Sequence, residues 1–164
     1  MAESSQPVGL VVHSGASIPG YAANDRRHAQ IAAMVYIDHG PATAAFDADL
    51  DAVELPLPAR EERDPDNIRG MTDEEWAWFC ERAVPEPGGV IRGTPVLTDE
   101  RRRHIPSRVD CTSRTTAPLQ SLIPQGGAWL SALPELTNFT YVDLPPTTGP
   151  CGRARRNWRV SSTI

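Results

Sequence analysis

The sequence contains no lysine: all 16 of its basic residues are arginine. Because most arginine codons are rich in G and C and both lysine codons in A, this marks a GC-rich gene. Cysteine is scarce too. Cys80, Cys111 and Cys151 are odd in number, far apart and without CxxC or Cys/His spacing, which excludes a disulfide framework and a tetrahedral zinc site. No metal and no cofactor is expected. No apolar run approaches the ~20 residues a membrane span needs. The opening MAESSQPVG lacks the basic and apolar regions of a signal peptide, so no membrane partner and a cytoplasmic location are expected. Positive charge is also short, with 16 basic against 21 acidic residues and a formal net charge of −5, which argues against nucleic acid as a partner. A small molecule or another protein is left.

What is present suffices for one domain: 164 residues, 40% of them hydrophobic, can bury a core of ordinary size. Val8 to Val12 is a brief apolar run, and SGASIPGYAANDRRHAQIAA after it reads as a turn entering a helix. AAMVYID, residues 32–38, is β-branched and aromatic enough for a buried strand and ends at Asp38-His39-Gly40-Pro41. Strand, helix and strand make a βαβ unit, which favours a parallel sheet.

Residues 42–67 are acidic and interrupted by proline, a surface excursion. TDEEWAWFCERAV, residues 72–84, opens with a Thr N-cap and a Glu three residues on, a capping box, and sets Trp76, Phe79, Cys80 and Ala83 on one face. PEPGG ends that helix. Thr98 caps a short charged helix within 97–105, and SRVDCTS, residues 107–113, is a third strand. Helical pieces broken by Pro124, Gly126-Gly127 and Pro134 follow, then NFTYVDLP, residues 138–145, a fourth strand. From 146 onward the chain shows no apolar period, and no internal repeat is found.

VVHSGAS, residues 11–17, places a serine where an apolar strand turns into a helix. A nucleophile there is held on a sharp bend with a helix N-terminus beneath the developing oxyanion, and small flanking residues avoid collisions. Ala16 fits; Val12 departs from the usual Gly. With VVHSGA, the VYID strand and the order of later strands, residues 8–145 resemble the α/β-hydrolase family, in its soluble bacterial serine hydrolase type. The resemblance implies an α/β fold, a partial α/β-hydrolase core of about four parallel strands with flanking helices. Residues 1–41 would form the first strand, elbow, helix and second strand, 42–106 a cap-like helical insertion, and 107–145 the remaining core. It further implies Ser14 as nucleophile, the Gly15 N–H as half of an oxyanion hole, Asp38 as acid, and a small ester, amide or related bond as substrate. Asp38 before Gly40-Pro41 reads equally well as a turn aspartate, and the Trp76 stripe as plain core.

Two family features are missing. Thirteen residues precede Ser14, so counterparts of the strands that flank the elbow in that family, and of the loop giving its second oxyanion N–H, are expected to be absent. The elbow strand then becomes an exposed edge inviting self-association. No His follows the fourth strand, where the resemblance implies the general base; His13, His28, His39 and His104 all sit elsewhere. The arginine-rich tail 146–164 is expected to be aberrant or disordered, read out of frame: restoring one nucleotide after the Pro145 codon lets it encode TNHWPMWSRPAELARVIDD, with the expected His and an amphipathic helix. The expectation is an impaired or inactive hydrolase; a non-catalytic interaction module and a non-functional gene fragment are the alternatives.

Overall fold

The computed structural model describes residues 6–124 and 127–144. The tail 146–164, and with it the out-of-frame reading, lies outside the described residues. In chain order the elements are β1 (Val8–His13), α1 (Ser17–Arg27), β2 (Ile31–Ile37), β3 (Glu54–Leu55), α2 (Asp73–Arg82), β4 (Glu86–Pro87), α3 (Gly88–Arg92), β5 (Ser107–Cys111), α4 (Thr116–Leu122) and β6 (Phe139–Asp143), with short 3-10 turns between them.

Four strands form one parallel sheet in the order β1-β2-β5-β6, and β3 and β4 form a separate two-residue antiparallel ribbon. The order follows the chain, so β1 and β6 are the outer strands and the whole 42–106 insertion emerges between the two central ones. β2 is hydrophobic throughout and buried at every position but Ala32, as a central parallel strand must be when both of its faces are covered. Side chains alternate, and the register sets Val12, Tyr36, Val109 and Tyr141 in one row across the sheet. That row belongs to the core, with Met34 and Cys111 from the sheet, Tyr21 from α1, Leu119 from α4 and Leu130, Leu133 and Leu136 from the turns before β6. α1 lies close on it because Gly20 has no side chain: a Cβ there would sit 2.6 Å from Val12 Cγ1. The branched side chain of Val12 is thus accommodated by a glycine in the first turn of the following helix.

Element ends are decided by contacts that local sequence does not show. β5 stops at Cys111, earlier than the expected Ser113, because Thr112 and Ser113 turn their N–H groups onto Asp38. The helix expected to be capped by Thr98 is a 3-10 turn over Glu100–His104 capped by Asp99; the Thr98 N–H and hydroxyl are committed to the Asp25 carboxylate instead. The PEPGG segment ends α2 but also contributes β4 and opens α3. Gly88 is required there, since a Cβ would lie 2.0 Å from the Ala52 carbonyl oxygen.

A buried polar cluster ties the insertion to α1. Asp25 accepts from the N–H groups of Thr98 at 2.9 Å and Asp99 at 2.8 Å and faces the Arg102 guanidinium at 3.4 Å. Arg102 also donates to the Asp99 carbonyl at 2.9 Å and lies 5.5 Å from the centre of the Tyr21 ring. Burial alone would raise the Asp25 carboxyl; the two amides and Arg102 outweigh it and hold it below the usual carboxylate range.

Candidate functional site

Ser14 follows the last residue of β1 and opens a single 3-10 turn, Ser14–Ala16, that leads directly into α1. Its φ is 50°, a left-handed conformation that costs a non-glycine residue on the order of 1–3 kcal/mol and persists only where surrounding structure imposes it. Here β1 arrives extended and α1 must leave over the sheet within three residues. Ser14, Gly15 and Ala16 are all exposed, and the Ser17 N–H closes the turn onto the carbonyls of Ser14 and Gly15. Nothing lies within 4 Å of where a Gly15 Cβ would be, so the space above this turn is open.

Asp38 holds the corresponding place on the neighbouring strand. His13 and Ile37 are register partners, so Ser14 and Asp38 are the first residues beyond the carboxyl ends of two adjacent parallel strands, the end at which open α/β sheets bind ligands. Asp38 also has a positive φ, 53°, and no other described non-glycine residue shares this feature with Ser14. Its N–H continues the ladder to the Asp110 carbonyl at 2.9 Å. Its carboxylate takes both N–H groups and both hydroxyls of two consecutive residues: Thr112 N–H at 2.5 Å, Ser113 N–H at 2.8 Å, Ser113 Oγ at 2.9 Å, and the Thr112 hydroxyl. An ionised carboxylate offers roughly four lone-pair positions, and these four donors fill them. The turn reading of Asp38 therefore has a direct structural counterpart, a clasp joining the ends of β2 and β5.

The four histidines fall in different surroundings. His28 pairs with Asp99 at 3.2 Å, and His104 Nδ1 meets the Thr137 hydroxyl at 2.8 Å. His39 is buried, its Nδ1 2.7 Å from the Gly40 carbonyl and its ring 5.3 Å from that of Trp129; burial lowers its pKa, partly offset by the Gly40 carbonyl. His13, beside Ser14, is half-buried; burial lowers its pKa while the Asp38 charge works the other way. Among the described residues no hydrogen bond joins Ser14, Asp38 and a histidine into a chain.

Clefts open both beside the Asp38 clasp and in the insertion. One of about 390 Å³ is lined by Thr112 and Ser113, the residues clasping Asp38, together with Arg69, Arg114, Leu122 and Leu144. The larger, about 720 Å³, lies wholly in the insertion between segment 57–61 and α2, with Trp76 and Cys80 on its wall, and is not lined by Ser14 or Asp38. No group of three His, Cys, Asp or Glu residues converges among the described residues, and no described helix is long and apolar enough to cross a membrane. The residues missed in the sequence are Thr112 and Ser113. Their signal, a Thr-Ser pair closing a strand, acquires meaning only once β5 lies beside β2.

No family model matches the sequence, and no curated protein matches it. Among solved structures, the chain is similar to an extracellular α/β-hydrolase from a Paenibacillus species, described as sharing structural and functional homology with tobacco salicylic acid binding protein 2. The TM-score is 0.59 at 18% identity, covering 92% of this chain and 67% of that one. Likeness at this identity is a likeness of fold. With its four-stranded parallel sheet, flanking helices and insertion after the second strand, the chain has the α/β architecture of an α/β-hydrolase core.

Proposed function

We propose that this site is that of a serine hydrolase of small ester, amide or related bonds, with catalysis impaired in the present chain. The observation that carries the proposal is the left-handed, exposed Ser14 between a parallel strand and a helix, a backbone strain of the kind stored at reacting residues. Ser14 Oγ attacks the substrate carbonyl, its proton passing to water, and the Gly15 N–H, at the positive end of α1, receives the oxyanion; collapse expels the protonated alcohol or amine and leaves an acyl-serine that water hydrolyses. Asp38 is the carboxylate of the site. To orient a base it must release one of its bonds to Thr112 or Ser113, which supports low activity. So does the absence, among the described residues, of a histidine bonded to Ser14. Removal of the base in a serine hydrolase costs on the order of 10⁶ in rate.

Fluorophosphonate labelling followed by peptide mass spectrometry, with p-nitrophenyl acetate turnover measured on the same preparation, tests both halves. The expected result is slow labelling at Ser14, abolished in Ser14→Ala, with weak turnover. Absence of label at Ser14 overturns the nucleophile. Ser14-dependent kcat/KM in the ordinary enzyme range of about 10⁴–10⁸ M⁻¹s⁻¹ overturns the impairment. The out-of-frame reading of 146–164 belongs to the same proposal and is decided by the gene's DNA: an alternative frame that does not spell His-Trp-Pro ends it. Cytoplasmic residence is proposed too, and cell fractionation checks it, the structural neighbour being extracellular. A second reading, a non-catalytic interaction module, is favoured by the exposed apolar side chains of the insertion, Val53, Val84 and Val96 foremost. It predicts a defined complex and no reaction with the probe.

A further inference from the structure

The face that α1 turns inward is polar: Tyr21, Asn24 and Asp25 share one side of the helix and all are buried. Asp25 is served by Thr98, Asp99 and Arg102. Its neighbours are not. Where Arg102 reaches this face, Arg102 Nε, Asn24 Oδ1 and the Tyr21 hydroxyl find no hydrogen-bond partner among the described residues, although Tyr21 and Asn24 are 0% exposed and Arg102 is 3% exposed. The three residues meet in one place. Asn24 Nδ2 donates to the Arg102 carbonyl at 3.1 Å, the Arg102 guanidinium lies 5.5 Å from the centre of the Tyr21 ring, and Tyr21 and Asn24 are adjacent across one turn of α1. Burial raises the pKa of the Tyr21 hydroxyl and Arg102 acts against it, so guanidinium and hydroxyl are neighbours, yet outside bonding geometry.

Native proteins rarely bury such groups unbonded, and the chemistry of this set says what satisfies it. Arg102 Nε–H can only donate, Asn24 Oδ1 can only accept, and a phenol can do either. Asn24 cannot turn over to offer its amide hydrogens, because the Arg102 carbonyl on its other side accepts and never donates. The Arg102 charge is already balanced, its terminal nitrogens facing Asp25 and Glu135 and donating to the Asp99 carbonyl. An anion would leave Asn24 Oδ1 without a donor, and a metal ion would be repelled by the guanidinium. Only a ligand that donates and accepts at once serves all three atoms. We propose that α1 and the turn Glu100–His104 enclose an internal water site, in which one water accepts from Arg102 Nε–H, donates to Asn24 Oδ1 and bonds the Tyr21 hydroxyl. About three bonds is the usual complement of a buried water. The water joins the Asp25–Thr98 and Asn24–Arg102 bonds as a further tie between α1 and the insertion, and it does not depend on chemistry at Ser14.

Water oxygen-17 relaxation dispersion on the full chain, which detects long-lived internal waters, is the test, paired with thermal unfolding. Tyr21→Phe keeps the ring against Arg102 and removes only the hydroxyl. The wild type is expected to show a dispersion whose amplitude falls by about one water in Tyr21→Phe, with the thermal midpoint lowered by about 2–4 °C as a bond is lost. A hydroxyl that is simply unbonded gives the opposite sign, since its removal relieves a buried polar group and raises the midpoint. A raised midpoint, or a dispersion equal in the two chains, therefore overturns the proposal. A wild type with no long-lived component overturns it without any variant. Stability that rises with chloride concentration in the wild type but not in Tyr21→Phe makes the occupant an anion, and overturns it as well.

Discussion

The sheet and the insertion are built on different physics. Tyr36 and Met34 of β2 are wholly inaccessible, enclosed by α1 and the neighbouring strands, whereas α2 in the insertion buries none of its residues and Val53 is 85% exposed. The sheet is held by apolar area removed from water, worth roughly 1.5–3 kcal/mol for each large side chain. The insertion is held by hydrogen bonds and arginines: Phe46 and Asp47 N–H on the Ile91 carbonyl, Arg92 on the Ala52 carbonyl at 2.9 Å, Arg60 on Asp73 at 2.5 Å, and Arg82 over the Trp78 ring at 4.2 Å. Exposed ion pairs of this kind contribute about 0–1 kcal/mol each. One chain therefore contains a region that resists unfolding as a unit and a region that opens locally at small cost.

Substitutions that sharpen this difference start in the sheet. Tyr36→Ala empties a site at the centre of the core and is expected to cost about 3–5 kcal/mol in urea denaturation. A loss below about 1 kcal/mol would show that the sheet is packed no better than the insertion. Next comes the seam between the two. Asp25→Asn removes the charge facing the buried Arg102, with an expected loss of about 3 kcal/mol at neutral pH. The carboxyl's pKa is depressed in the folded state, so its contribution is fully present above the ordinary carboxylate range and disappears as pH falls below about 4. Stability of the wild type should therefore drop more steeply than that of Asp25→Asn on acidification, and parallel acid limbs would contradict the assignment.

A smaller effect is expected at the packing of α1 on β1. Gly20→Ala forces a methyl group toward Val12, at a cost of about 1–3 kcal/mol, and Val12→Ala in the same chain should recover part of the strain. The smallest effects belong to the insertion. Thr72→Ala removes a cap whose hydroxyl accepts the Glu75 N–H at 3.2 Å, costing about 1 kcal/mol within α2. Hydrogen exchange should accelerate in α2 while the thermal midpoint of the sheet stays put. A matching fall in that midpoint would mean that sheet and insertion unfold together, erasing the distinction.

Local signals were legible where one segment carries the whole interaction. The Thr72–Glu75 capping box forms as read, the Glu75 carboxylate returning to the Thr72 N–H at 2.9 Å. β2 and β6 are announced by β-branched and aromatic runs, and the turn at Ser14 by small residues between an apolar strand and a helix. Less legible were elements stabilised from a distance. α3 and the β3–β4 ribbon depend on residues 46–55 meeting 86–92, and neither segment has a periodicity of its own. At the candidate site Ser14 and Gly15 could be picked from their neighbours, but the condition of Asp38 could not, because its four donors lie more than 70 residues away.

Amino-acid order alone determined the parallel α/β class, the strand segments and the bend at Ser14, since each rests on side-chain pattern and backbone preference within a few residues. Only the tertiary structure decided that Asp38 is saturated by Thr112 and Ser113, that Thr98 serves Asp25 instead of a helix, and that Gly20 makes room for Val12. Each of these is a competition for a hydrogen-bond partner or a volume between groups that meet only after the sheet has assembled.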